Sequence, residues 1–308
     1  MKKEDLFYDS RDGEHKVHAI KWIPDGEPVA VLQLIHGMAE YIDRYNDFAT
    51  FMAQHGYLVV GNDHLGHGRT AKDPSEYGCF CNDDPATVVV RDVHRLKKII
   101  KEQYPDKKYF FYGHSMGAIL LQNYLFRYGS GIDGAIVCGT ASQPGYMTAG
   151  AKVLLKTIAL FKGWNYRSPF ANGIVSGNAN ARIPNVRTKS DWLSKDEAIV
   201  DAYEADPACG FMFAINGLWG LIDALSRNNR RENIEKIPRD LPIRFISGKE
   251  DPIGAYGAGV ERAVGLFKGA GLKNVTMKLY EGDRHELLNE TDRAEIYEEV
   301  LEYYKALM

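Results

Sequence analysis

Short apolar runs alternate with amphipathic helical patterns along most of the chain, and this alternation is the strongest constraint on its fold. The apolar runs occupy residues 29–35, 57–60, 109–112, 135–138 and 243–246. Two further strands are predicted at residues 17–22, where apolar and polar side chains alternate, and at residues 275–280. Between them, apolar side chains recur at helical spacing, as at Val89, Val93, Leu96 and Ile100. Apolar strands separated by helices are typical of a mostly parallel sheet with helices on both faces. We therefore predict an α/β fold.

The alternation stops after residue 143 and returns at residue 243. The intervening stretch shows a helical apolar pattern at Val153, Leu154, Ile158 and Phe161. Later parts of it are rich in aromatic residues. The simplest account is a core of residues 1–143 and 239–308, interrupted by a helical cap of residues 144–238.

Composition excludes several classes of protein. The 308 residues carry 38 Lys and Arg against 41 Asp and Glu, without a basic stripe, which argues against a nucleic-acid partner. No apolar run approaches the roughly 20 residues of a membrane-spanning helix, and the charged N-terminus leads into no apolar signal segment. We expect a soluble, cytoplasmic protein; its oligomeric state stays open.

The cysteines predict neither a disulfide framework nor a metal site. Four cysteines in 308 residues are too few for such a framework. Cys79 and Cys81 are separated by one residue, which is too tight for a zinc-binding pair, although His64 and His67 lie upstream. We expect no metal and no organic cofactor.

The sequence Gly-His-Ser-Met-Gly at residues 113–117 follows an apolar run and precedes a helical pattern. This context is that of a nucleophile elbow, a sharp strand-to-helix turn that exposes a reactive serine. The positions two residues before and after the serine must be small, because the turn brings the backbone close to its neighbours. We therefore predict Ser115 as the nucleophile.

A serine needs a base that is itself held by an acid, and in this architecture both follow the serine in the chain. His285 is the only one of nine histidines downstream of Ser115, and it follows the predicted strand at residues 275–280. Asp251 follows the run at residues 243–246, with Glu250 as its rival. We predict His285 as the base and Asp251 as the acid.

An oxyanion hole needs two N–H donors near the serine. The first is expected from Met116, directly after the nucleophile. The second is expected from Met38, because the loop after the run at residues 29–35 supplies it in this architecture.

At these residues the chain resembles the α/β-hydrolases, and within them the monoglyceride lipase and lysophospholipase group related to the serine aminopeptidases. The resemblance rests on residues 36–40 with Arg44 and Tyr45, 62–64, 66–68, 113–117, 248–251 and 285–290, and more weakly on 202–207. It implies the α/β-hydrolase fold and the triad of Ser115, Asp251 and His285, and it favours Asp251 over Glu250. The chain departs from the family pattern at Tyr41, where relatives often carry His, and at Leu65, where Arg is usual.

The expected activity is hydrolysis of monoacylglycerols or similar lipid monoesters through an acyl-enzyme intermediate. The alternatives within enzymes are a lysophospholipase, a carboxylesterase for aromatic (feruloyl-type) esters and an iminopeptidase-like peptidase. A peptidase would place acidic groups to bind a substrate ammonium, whereas an acyl hydrolase needs an apolar tunnel. Outside enzymes, the alternative is a hydrolase-like receptor that binds a ligand without turnover.

Two further features are open to two interpretations each. Glu40 and Arg44, four residues apart, form either a local ion pair that orients the oxyanion loop or a pair that sets the geometry of the hole. Residues 152–162 form either an ordinary packed cap helix or a partly exposed apolar face. Such a face would line an acyl tunnel, together with residues 211–213, or make transient contact with a membrane surface.

Overall fold

The computed structural model describes the backbone of residues 1–308 and every side chain except that of Ser176. Within these residues eight strands form one sheet: β1 (Lys2–Asp9), β2 (Lys16–Ile23), β3 (Ala30–Ile35), β4 (Tyr57–Asn62), β5 (Tyr109–His114), β6 (Gly134–Cys138), β7 (Ile243–Gly248) and β8 (Val275–Tyr280). Their order across the sheet is β1-β2-β4-β3-β5-β6-β7-β8. The strands from β3 to β8 pair in parallel, which confirms the predicted α/β fold.

The sequence patterns did not predict β1, which pairs antiparallel with β2 at the edge of the sheet. This strand carries charged residues at its start, and of its eight side chains only Tyr8 is buried. An exposed edge strand of this kind lacks the apolar run by which the buried strands were recognised.

Ten helices follow in the described residues: α1 (Asn46–Gln54), α2 (Pro85–Gln103), α3 (Met116–Tyr128), α4 (Gly145–Lys162), α5 (Pro169–Ser176), α6 (Glu197–Ala205), α7 (Ile215–Asn228), α8 (Arg231–Ile234), α9 (Ala258–Gly269) and α10 (Arg293–Lys305). Helices cover both faces of the sheet. Successive side chains of a strand point to opposite faces, so Phe110 and Tyr112 pack with α1 and α10, whereas Tyr109 and Phe111 pack with α2 and α3.

The helices α4 to α8 lie between β6 and β7 in the chain, where the sequence predicts a helical cap. Helix α4 packs against α7, and α7 in turn packs against α2 and α3 of the sheet layer. The described part of this stretch contains no strand. None of the helices, as far as their residues are described, combines the length and apolar character needed to cross a bilayer.

Candidate active site

Ser115 occupies the tight turn between β5 and α3. Its backbone has φ of 55° and ψ of −118°, a conformation that non-glycine residues rarely adopt. Its N–H donates to the carbonyl of Cys138 at 2.9 Å, and its carbonyl accepts from Ala118 in the first turn of α3. The strained turn places the serine at the N-terminus of α3, where the helix dipole favours negative charge.

The glycines around the turn are required by close backbone contacts. A Cβ atom on Gly117 would lie 2.0 Å from the carbonyl oxygen of Ile35, and one on Gly113 would lie 2.6 Å from that of Gly117. A Cβ atom on Gly37 would lie 3.2 Å from the Cβ atom of Ser115. The loop after β3 therefore lies directly against the serine.

Asp251 and His285 form a buried pair on the loops after β7 and β8. The distance from His285 Nδ1 to Asp251 Oδ1 is 2.9 Å. The carboxylate also accepts hydrogen bonds from Ser247 Oγ at 3.0 Å and from the N–H of Ile253 at 2.8 Å. Glu250, the rival acid, is exposed.

The pKa of Asp251 is lowered although the side chain is buried. Burial alone would raise it, but the nearby charge of His285 and the hydrogen bonds from Ile253 and Ser247 outweigh burial. Asp251 therefore stays ionised and can stabilise a positive charge on His285.

His285 and Ser115 line the same cavity. Among the described side chains, Ser115 Oγ forms no hydrogen bond with His285; such bonds often tighten only when substrate is bound. The ring of Trp192, from the cap, lies over that of His285 with centroids 5.0 Å apart. Trp192, from the stretch between β6 and β7, therefore covers His285, a contact that the sequence patterns did not predict.

The N–H groups of Met38 and Met116 have no acceptor within the described residues, and both residues line the cavity. Two uncommitted donors beside a serine are what an oxyanion hole requires.

Two buried, neutral histidines hold the loop that carries Met38. His36 Nδ1 donates to the carbonyl of Gly37 at 2.8 Å, and its Nε2 accepts from the N–H of His64 at 3.0 Å. His67 Nε2 accepts from the N–H of Ala39 at 3.3 Å. Burial lowers the pKa of His36 and lowers that of His67 to about 3, so both rings keep an acceptor nitrogen.

Glu40 and Arg44 do form an ion pair, and it is largely buried. Arg44 also binds Glu286, in the loop after β8 that carries His285. Arg44 Nη1 lies 2.5 Å from Glu40 Oε2, and its two terminal nitrogens each donate to Glu286 at 2.8 Å. Glu40 Oε1 accepts from the N–H of Gly37 at 2.5 Å. One guanidinium therefore connects the oxyanion loop to the residue next to His285.

The same carboxylate approaches the residue before the serine. Tyr45 Oη donates to Glu40 Oε1 at 2.8 Å and lies 3.1 Å from His114 Nδ1. His114 Nε2 lies 3.3 Å from the carbonyl of His285. Burial acts to lower the pKa of His114, but the hydrogen bond and charge of Glu40 outweigh it and raise this pKa.

Residues between β6 and β7 in the chain contact both the loop after β3 and the loop after β8. Tyr41, a departure from the family pattern, donates through its hydroxyl to Asp206 Oδ2 at 2.7 Å. On the other side, the N–H of Glu286 donates to the carbonyl of Leu193 at 2.7 Å, and Arg284 donates to the carbonyls of Asp191 and Ser194. These contacts anchor the cap beside the candidate triad.

A cavity of about 970 Å³ opens in front of Ser115. An apolar part of its wall comes from α3, α4 and α7, through Ile119, Met147, Ala151, Leu221, Ile222 and Leu225. The acidic side chains on the described wall are Glu40 and Glu286, and Arg44 binds both of them. This arrangement favours an apolar ligand and leaves no free carboxylate for a ligand ammonium group.

No group of three or more His, Cys, Asp or Glu side chains is arranged for a metal ion in the described part of the chain. Cys79 instead accepts a hydrogen bond from Arg167 at 3.5 Å.

Comparison with known proteins shows the family of this chain. The model of the family described as Serine aminopeptidase, S33 matches residues 26–292 of the chain. A monoglyceride lipase from Mus musculus is 29% identical over 280 residues, which cover 87% of this chain and 79% of that protein. A monoacylglycerol lipase from Mycolicibacterium smegmatis is 26% identical over 288 residues, covering 91% and 89%.

A solved structure of a highly thermostable carboxyl esterase from Bacillus coagulans, in complex with glycerol, superimposes with a TM-score of 0.92. It is 31% identical to this chain and covers 100% of this chain and 99% of its own. The family match includes Ser115, Asp251 and His285 and most of the sheet. The chain therefore belongs to the serine aminopeptidase S33 family of α/β-hydrolases.

Proposed function

We propose that this chain hydrolyses monoacylglycerols or similar lipid monoesters, with Ser115 as nucleophile, His285 as base and Asp251 as acid. The observation that carries this proposal is the lining of the cavity in front of Ser115: one part of it is apolar, and the two carboxylates on its described part are both bound by Arg44. A peptidase that binds a free amino terminus needs an available carboxylate. The names of the lipase and esterase relatives also support an ester as the substrate.

In the first half of the reaction, Ser115 Oγ attacks the ester carbonyl carbon while His285 accepts its proton. The carbonyl oxygen becomes an oxyanion, which accepts hydrogen bonds from the N–H groups of Met38 and Met116. His285 then donates the proton to the departing alcohol, and the C–O bond breaks. The product is an acyl ester of Ser115.

In the second half, His285 takes a proton from a water molecule, whose oxygen attacks the acyl carbon. Collapse of the second oxyanion returns the proton to Ser115 Oγ and releases the fatty acid. Asp251 remains ionised throughout and stabilises the imidazolium that forms twice in each cycle.

The apolar wall formed by α3, α4 and α7 fits the acyl chain. Moving the acyl chain from water to this apolar wall is favourable, because apolar surface is removed from water. We place the alcohol in the part of the cavity that is lined by the loop after β7, at Pro252, Ile253 and Tyr256. We also propose that residues 144–238 form a cap on a core of residues 1–143 and 239–308, because helices α4 to α8 lie between β6 and β7 in the chain.

A substrate panel tests the proposal. It compares monoacylglycerols of 8 to 18 carbons with a feruloyl ester and a prolyl amide, all with the wild-type protein. We expect monoacylglycerols to have the highest kcat/KM, because the wall beside the serine is apolar. A prolyl amide in first place would overturn the assignment to esters.

We also propose that the cap makes transient contact with a lipid surface. Leu160 and Phe161, at the end of α4, are 80% and 77% exposed, and Phe170 at the start of α5 is 66% exposed. Lys156 and Lys162 lie exposed on the same helix. Apolar side chains flanked by lysines are typical of segments that bind anionic membrane surfaces.

The double variant Leu160→Ser, Phe161→Ser tests this contact. Loss of two exposed apolar groups should weaken binding to phosphatidylglycerol vesicles by about tenfold or more in a cosedimentation assay. The matched control replaces Val29 and Met277, which are 47% and 38% exposed and belong to the core rather than the cap. Equal loss in both double variants would contradict a role for the cap.

A further inference from the structure

The charged residues in the segment between α5 and Asp191 are all basic. Residues 177–190 contain Arg182, Arg187 and Lys189 and no Asp or Glu. Arg182 and Lys189 line the cavity that contains Ser115. The apolar wall described above is built from other segments, α3, α4 and α7.

Arg182 is held in place by an aromatic ring and not by a carboxylate. Its guanidinium carbon lies 3.6 Å from the centroid of the Tyr256 ring. Among the described side chains it forms no ion pair with Asp or Glu. A guanidinium that stacks on a ring through its face keeps its N–H edge available for a ligand.

Tyr256 places this cation close to the candidate triad. It belongs to the loop that begins at Asp251, and its N–H donates to the carbonyl of Asp251 at 2.8 Å. Its own backbone has φ of 56°, so the ring direction is set by an unusual turn rather than by a regular strand or helix. Tyr256 also lines the cavity.

Other charged side chains of this segment and of the described cavity lining form ion pairs within the protein. Arg187 binds Asp201 at 2.6 Å and Lys189 lies 3.6 Å from Glu204. Elsewhere on the cavity lining, the carboxylates of Glu40 and Glu286 are bound by Arg44. Arg182 is thus the cation of this wall whose charge is not matched by a described carboxylate.

We propose that Arg182, supported by Tyr256, forms a subsite for an anionic group on the alcohol part of the substrate. The chemistry that it matches is a phosphate monoester, which accepts two parallel hydrogen bonds from a guanidinium. The substrate class is then the monoacyl esters of glycerol phosphate. This inference rests on the proposed ester hydrolysis and adds the charge of the head group.

A binding experiment tests the subsite without any turnover. The Ser115→Ala variant is titrated with octyl phosphate and with octanol by isothermal calorimetry. We expect Arg182→Ala, added to this background, to raise the Kd of octyl phosphate by about tenfold or more, as loss of a charged hydrogen-bond donor should. Arg187→Ala is the matched control, because it lies in the same segment and outside the cavity lining, and it should change neither Kd.

A kinetic experiment then compares 1-octanoylglycerol with its 3-phosphate in the active protein. Arg182→Ala should lower the ratio of kcat/KM for the phosphate over the neutral ester by about tenfold, and Arg182→Lys should lower it less, since the charge remains. Added salt should reduce the preference, because the site is exposed.

The outcomes separate the two proposals. Equal effects of Arg182→Ala and Arg187→Ala, or no effect of Arg182→Ala on octyl phosphate binding, overturn the anionic subsite. Arg182-dependent binding of octyl phosphate, together with no hydrolysis of either ester by the wild type, supports the subsite and overturns the proposed ester hydrolysis.

Discussion

The Ser115→Ala variant should lose about 10⁶-fold in kcat while keeping its fold, because the proposed nucleophile and the proton that it delivers to His285 are both removed. Alanine has nearly the same size as serine and meets the same backbone strain at φ of 55°, so the turn itself is unchanged. Monoacylglycerol hydrolysis and the melting temperature are the two measurements. A second readout is mass spectrometry after treatment with a fluorophosphonate, which should add to the wild type and not to the variant.

Two controls sharpen this test. Ser130→Ala, in an exposed turn after α3, should leave both activity and labelling unchanged. Asp251→Asn keeps the shape of the pair with His285 but removes the charge that holds the imidazole, so kcat should fall by about 10⁴-fold. Activity retained in purified Ser115→Ala would refute the assignment of the nucleophile and leave the family membership intact.

The Arg44→Met variant should lose about 3–5 kcal/mol of unfolding free energy, because it leaves two buried carboxylates without their cation. Activity should also fall, by about 10²-fold, since the guanidinium connects the oxyanion loop through Glu40 to Glu286 beside His285. We expect the loss in kcat rather than in KM, because Arg44 positions the reacting groups and does not line the cavity.

The effect on stability should depend on pH. Burial acts to raise the pKa values of Glu40 and Glu286, but the charge of Arg44 outweighs burial and holds both below their ordinary range. A carboxyl group whose pKa is lower in the folded state stabilises the fold above its unfolded pKa of about 4.3, and this contribution is lost as the pH falls. The difference in unfolding free energy between wild type and Arg44→Met should therefore be largest near pH 7 and should shrink below about pH 4.

Urea unfolding at pH 7 and at about pH 3 measures this difference in unfolding free energy. The matched control is Arg231→Met, which removes an exposed pair with Glu235 at the same four-residue spacing and should cost less than about 1 kcal/mol. A similar loss in both variants would show that Arg44 acts as an ordinary surface ion pair. Arg44→Lys should recover part of the stability but not the two parallel hydrogen bonds to Glu286.

Much of the fold was predictable because its signals are local. Buried parallel strands are apolar over their whole length, so five strands of the described residues, β3 to β7, were recognisable as apolar runs. The antiparallel strand β2 was recognisable by its alternation of apolar and polar residues. The edge strand β1 has no such run, and it was missed. The glycines at 113 and 117 predicted the turn at Ser115 because backbone atoms come within 2.6 Å of where a side chain would begin.

Part of the candidate site was predictable for a similar reason. The chain order of serine, acid and histidine follows from the positions of the strand ends, and the structure places His285 Nδ1 2.9 Å from Asp251 and leaves Glu250 exposed. The choice between these two acids needed the family resemblance, because they are adjacent in the chain and equally acidic. Only the direction of each side chain separates them.

The remainder depended on contacts between distant segments. Arg44 and Glu286 are 242 positions apart, and nothing in either neighbourhood indicates the other. The same holds for Trp192 over His285 and for Arg182 over Tyr256. Strand and turn patterns act through neighbouring residues, whereas the charge of a cavity wall depends on which ionised groups are buried together and paired. Local patterns therefore predicted that Ser115, Asp251 and His285 would lie close together, and tertiary packing decided which charges line the cavity beside them.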